Sequence, residues 1–156
     1  MIINCNEYVI NLGARAGLQA ACNKHVKQAQ VQSLLEVFNS YAYPESVKVL
    51  LLYVAYQAGR NNIDNLTASQ VINDILDITR KCSENNEIMQ ELIRKYLGAL
   101  KWVYTAITRG AHSVCYNKKD IVNKPIENIA DTIAEKIAQA IGGQQRYGRS
   151  AGYRYR

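Results

Sequence analysis

The last fifteen residues, GGQQRYGRSAGYRYR, set Arg146, Arg149, Arg154 and Arg156 among Tyr147, Tyr153 and Tyr155, with four glycines and no acid. Guanidinium forks pair with phosphate, tyrosine rings offer faces to unpaired bases, and glycine lets the backbone follow an irregular strand. Four of the six formal excess positive charges fall here, which leaves +2 on residues 1–141. Composition therefore points to a polyanionic partner at this end; the plainer alternative is a basic, solubilising terminus. A second cationic set lies in the body. Arg94, Lys101 and Arg109 recur with Gly98, Thr105 and Thr108 on one side of a helical pattern, so a rigid rod would carry them over roughly 20 Å. Trp102, at the margin of that stripe with Lys95, offers an indole to stack on a base or to anchor a protein neighbour. The competing reading is a solvated helix face with Trp102 covering an edge of the core.

Other constellations carry less. Cys22-x-x-His25 and His112-x-x-Cys115 could bring four ligands to one zinc ion, but neither has the tight CxxC pairing of a zinc finger. Cys5, Cys22, Cys82 and Cys115 are scattered, in a chain able to build a core without staples, so the expectation is four small buried thiols and no metal or other cofactor. There is no GxxxxGK loop, no GxSxG elbow and no HExxH. Asp74 and Asp77 read as the wet face of a helix, and no catalytic residue is nominated.

The elements that must position these groups follow from apolar spacing. Ile10, Gly13, Ala14, Gly17, Leu18 and Ala21 mark one face of a first helix from Glu7 to about Asn23, with Gly13 and Gly17 placed to let another helix come close. A second helix, about Val26 to Ser40, uses Val31, Leu34, Leu35 and Phe38. Pro44 starts a third that Gly59 ends, and its VLLLYVAY run is apolar nearly all round, which predicts a central position in the bundle. Thr67 and Gln70 have the spacing of a capping box for a fourth helix, with Leu66, Val71, Ile72, Ile75, Leu76 and Ile78 buried. The longest pattern, Glu87 to about Arg109, buries Leu92, Ile93, Tyr96, Leu97, Leu100, Val103, Tyr104 and Ile107. A loop from His112 to Lys124 leads to Pro125 and a last helix built on Ile126, Ile129, Ile133, Ile137 and Ile141, which Gly142 and Gly143 end.

The expected fold class is thus all-α: a single compact bundle of about five to six helices over residues 1–141, then a flexible basic tail over 142–156. A length of 156 residues with 48% hydrophobic content suits one domain with a real core. The longest apolar run, Val49 to Tyr56, is far short of a membrane helix. The N-terminal MIINCNEYVINLG lacks the features of a secretory signal, which favours the cytoplasm.

Two phrases bear on family. VKVLLLYVAYQAGR, residues 47–60, and LIRKYLGALKWVY, residues 92–104, resemble segments of the small helical subunits of multisubunit CRISPR effector complexes, most of all the type III small subunits. The likeness rests on Ala55, Tyr56, Ala58, Gly59 and Arg60, and on Ile93, Arg94, Lys95, Tyr96, Gly98, Leu100 and Lys101. Here the second phrase follows the first, the order of one of the two type III branches. The resemblance implies a non-catalytic subunit that stacks head to tail in several copies beside other effector subunits. It also implies contact with guide RNA and target RNA or DNA, nominating Arg60, Arg94, Lys95 and Lys101. The alternative function is a DNA-coating filament protein, viral or chromatin-like; a third is a protein-only adaptor whose tail binds an acidic partner.

Overall fold

A computed structural model describes the backbone of residues 3–23 and 26–154, and the side chains of residues 3–23 and 26–143. The described residues are all-α. Helix α1 (Cys5–Ala21) is followed by α2 (Gln28–Asn39), α3 (Glu45–Gly59), α4 (Asn65–Lys81), α5 (Asn86–Gly110), a 3-10 segment (His112–Asn117), α6 (Lys118–Val122) and α7 (Ile126–Arg154). The segment expected as a loop after His112 holds the 3-10 segment and α6, which brings the α-helices to seven.

The centre of the bundle is the pair α1 and α5, packed in parallel. Gly13 lies on Tyr96 and Ala99, and one turn later Gly17 lies on Leu100 and Val103. A Cβ on Gly17 would stand 2.5 Å from the Leu100 carbonyl oxygen and 2.9 Å from the Val103 Cβ. Close approach is therefore what these glycines provide, at a cost in helix propensity of about 1 kcal/mol each. Val9, Leu12, Ala16 and Leu18 of α1 join Ile93, Leu97, Leu100 and Ile107 of α5 in the core. Helices α4 and α7 flank α1, α2 lies along α5, and α3 sits outside on α2 and α4.

That last placement corrects an expectation. The apolar run of α3 does not make it central: Leu52 is 72% exposed and Tyr56 55%. Only Ser46, Val47, Leu50, Val54 and Gln57 are buried. The apolar surplus is an uncovered helix face. The helix ends at Gly59, as expected, and the closing conformation lies just beyond it: Asn61 takes the left-handed conformation (φ 61°), and the amides of Asn61 and Asn62 bond the carbonyls of Ala58 and Gln57. This is a Schellman closure with asparagine at the left-handed position.

Helix α4 starts earlier than the capping-box spacing suggests. The Asp64 carboxylate accepts from the Thr67 amide at 3.0 Å, so Asp64 is the cap and Thr67 is buried in the first turn. Gln70 instead donates to Asp74 at 2.8 Å. Leu66 and Leu76, expected in the core, are 70% and 41% exposed, because α3 and α1 cover only one side of α4. At the other end of the chain α7 continues through Gly142 and Gly143, neither of which takes the left-handed conformation that would cap a helix. The expected flexibility of the tail concerns residues whose side chains lie outside those described.

The cysteines are also corrected. Cys5, the first residue of α1, is bonded to Cys82 at the end of α4, and Cys22 at the end of α1 to Cys115 in the 3-10 segment. The Cα pairs stand 6.1 and 5.4 Å apart, inside the range a disulfide spans. Antiparallel packing of α1 on α4 brings the first pair together, across 77 residues of sequence. Helix α1 is thus held covalently at both ends. The proximity implied by the paired Cys/His motifs is real, but both thiols of that set are consumed in a disulfide. His25 lies outside the described residues.

Candidate nucleic-acid interface

Helix α5 is the rod expected to carry the basic stripe. Asn85 caps it, its side chain accepting from the Ile88 amide at 2.9 Å, and Leu92, Ile93, Tyr96, Leu97, Leu100, Tyr104 and Ile107 are buried. Tyr104 also donates to the Val26 carbonyl at 2.9 Å, which fixes the chain entering α2.

The stripe does not stay whole, because α2 runs antiparallel along part of it. Arg94 is half-buried: it pairs with Glu91 at 2.7 Å and donates through Nε to Asn39, the last residue of α2, at 3.0 Å. Arg109 reaches the other end of α2 and donates to Gln28 at 3.2 Å. The two arginines thus brace α2, and Arg94 has its charge offset by a carboxylate. Thr108 turns back on its own helix, bonding the Tyr104 carbonyl at 2.8 Å.

What remains open is a strip rotated from the one expected. Lys95 and Arg109 are exposed, and between them Trp102 is 74% exposed; Lys101 is half-exposed on the side of Arg94, roughly 100° around the axis from Trp102. At 3.6 residues per turn, Trp102 lies within roughly 20° of both Lys95 and Arg109 around the helix axis. Lys95 donates to Asn6 at 2.8 Å and Arg109 to Gln28. Both partners are neutral amides, so they orient the cations without cancelling them. Among the described residues no carboxylate forms an ion pair with Lys95, Lys101 or Arg109. The strip can attract a phosphate chain and hold an aromatic face beside it.

The other nominated residues are not gathered here. Arg60, at the end of α3, donates to the Tyr56 hydroxyl at 2.9 Å and lies over that ring at 5.6 Å, a local cation–π contact on a different helix. Arg146, Tyr147, Arg149, Tyr153, Arg154, Tyr155 and Arg156 lie outside the residues whose side chains are described.

Two polar clusters escaped the sequence reading. Asp74 is buried, not wet: its carboxylate accepts from the Tyr96 hydroxyl at 2.8 Å, from Gln70 at 2.8 Å and from Arg15 at 3.3 Å. Burial raises the Asp74 pKa against the pull of these donors, and burial together with the Asp74 carboxylate carries the Tyr96 hydroxyl well above its ordinary value. Both carboxylate oxygens are engaged, so the cluster joins α1, α4 and α5. At the edge of α1, Tyr8 donates to Asp77, and Lys81 pairs with Asp77 at 3.4 Å while lying over the Tyr8 ring. Burial alone would raise the Asp77 pKa, but hydrogen bonds from Tyr8 and Lys81 bring it below the usual value. Nothing in the spacing of Arg15, Asp74 and Tyr96 signals their meeting. The exposure of Trp102, by contrast, can be read from its helical phase beside Lys95 and Arg109.

Among the described residues no helix is long and apolar enough to cross a membrane. A cleft of about 590 Å³ opens between the end of α2 and the start of α5, lined by Tyr41, Tyr43, Glu87, Gln90 and Arg94 among others. It contains no nucleophile paired with a base. Compared with protein-family models, curated proteins and solved structures, the chain matches none.

Proposed function

We propose that this chain is a non-catalytic, nucleic-acid-binding small subunit of an RNA-guided CRISPR effector complex. The observation that carries the binding half of the reading is the exposed strip of α5, where Lys95 and Arg109 flank Trp102 and, with Lys101, have no carboxylate partner among the described residues. These groups address phosphates and not base edges, so binding is expected to be sequence-tolerant and salt-sensitive. The resemblance of residues 47–60 and 92–104 to the type III small subunits supports the assembly half. The exposed Leu52 and Tyr56 of α3 supply an apolar surface for a neighbouring subunit, and the Arg-Tyr tail adds four arginines to the positive charge of the chain. The reading places the chain in a cytoplasm, and two disulfides suit that compartment where intracellular proteins are disulfide-rich, as in hyperthermophiles.

Affinity purification from the native host tests the proposal. Recovery of guide RNA with other effector subunits in fixed proportion supports it; recovery of the chain without RNA contradicts it. The exposed apolar face of α3 equally suits a DNA-coating filament. Electron microscopy with plain duplex DNA distinguishes the two, since a regular coated filament formed without guide RNA favours the coat.

A further inference from the structure

We infer that Trp102 is a base-stacking residue and that the strip on α5 takes single-stranded nucleic acid in preference to duplex. The inference rests on the proposed nucleic-acid reading and narrows its ligand.

An indole is costly to leave in water, and Trp102 covers no core: it is 74% exposed. Its surroundings on the helix are small or cationic. Gly98, one turn earlier, has open space where a Cβ would stand, and Thr105 and Ala106 are the neighbours one turn later. The ring therefore stands clear above a shallow, uncrowded stretch of helix. Lys95 lies two turns before it and Arg109 two turns after, about 21 Å apart by helical rise. That distance matches about six steps of a stacked strand.

Charge selects a polyanion, and the isolated aromatic selects its form. Every unpaired base has a π face, and stacking on an aromatic side chain is tolerant of sequence. In a duplex those faces are covered by neighbouring base pairs, and reaching one requires unstacking, which costs a few kcal/mol. A convex helix surface bearing one projecting ring has no device for that work. A flexible strand can lay its phosphates on Lys95, Lys101 and Arg109 while turning one base onto the indole. Stacking does not read the sugar, so RNA and DNA strands are both expected to bind.

Trp102 is the only tryptophan in the chain, so emission excited at wavelengths beyond the absorption of the eleven tyrosines reports on this position alone. The probes are oligouridylate and oligothymidylate of about 15 nucleotides, within the length one binding surface of this kind covers, and a duplex of equal length. Both single strands are expected to quench most of the emission, and the duplex to leave it nearly unchanged. By anisotropy of labelled strands, Trp102→Ala should weaken binding by about five- to a hundredfold, Trp102→Phe should restore most of it, and duplex affinity should not move. Circular dichroism checks that the variants keep their helices. Binding of single strands with no quenching and no loss in Trp102→Ala overturns this inference alone. Equal quenching by the duplex overturns the preference for single strands. Failure of every probe to bind overturns the proposed function with it.

Discussion

Gly17 of α1 rests on the backbone of Leu100 of α5, so close that a methyl group on Gly17 would meet the Leu100 carbonyl oxygen at 2.5 Å. This contact, repeated one turn earlier by Gly13 on Tyr96, fixes the position of α5 and hence of the strip it carries.

Replacing Gly17 with alanine should destabilise the fold by about 1–3 kcal/mol, because the obstructing atom is backbone and cannot swing aside. The gain in helix propensity, about 1 kcal/mol, is too small to reverse the sign. Gly98→Ala is the control: it meets open space and should stabilise by up to about 1 kcal/mol. Urea unfolding of both variants measures the difference.

The disulfides should contribute about 2–5 kcal/mol each, since each closes a long loop of the unfolded chain, 77 residues for Cys5–Cys82 and 93 for Cys22–Cys115. Melting with and without reductant tests this, and alkylation followed by mass spectrometry should find no free thiol before reduction. Four reactive thiols in the native protein would contradict the pairing.

Asp74 predicts a stability term with an unusual sign. Burial raises its folded-state pKa above the unfolded value near 3.8, so the folded protein holds the proton more tightly. The stability linked to that proton is fully present below the unfolded pKa and is lost as pH rises through the folded one. Asp77, whose pKa is lowered, acts the other way: its contribution is present above the unfolded pKa and is lost as pH falls through the folded one. Relative to wild type, Asp74→Asn should therefore gain stability as pH rises from about 3.8. Relative to wild type, Asp77→Asn should lose it over the lower part of the acid range. Thermal melts across acid pH measure both.

The local periodicities of this chain are legible in the sequence, and the pairings between helices are not. Apolar residues at three- and four-residue spacing locate the helices, and Gly13 and Gly17 announce a close contact without naming Tyr96 and Leu100 as its other side. Asp74 and Asp77 look alike in sequence; only the arrival of Arg15 and Tyr96 buries one of them. The apolar run of α3 records a surface that needs covering, and no property of α3 itself says whether this chain covers it. The strip on α5 falls between these cases. Lys95, Arg109 and Trp102 share a phase that the sequence displays, whereas the withdrawal of Arg94 depends on Glu91 and on where α2 comes to lie.

The most direct test is the salt dependence of binding to a labelled single strand, measured by anisotropy for wild type and for the triple variant Lys95→Ala, Lys101→Ala, Arg109→Ala. Each lost phosphate contact should reduce the slope of log affinity against log salt by about 0.7, so the variant should bind more weakly, with a slope shallower by about 2. An unchanged affinity and slope in the triple variant would contradict the placement of the primary site on α5.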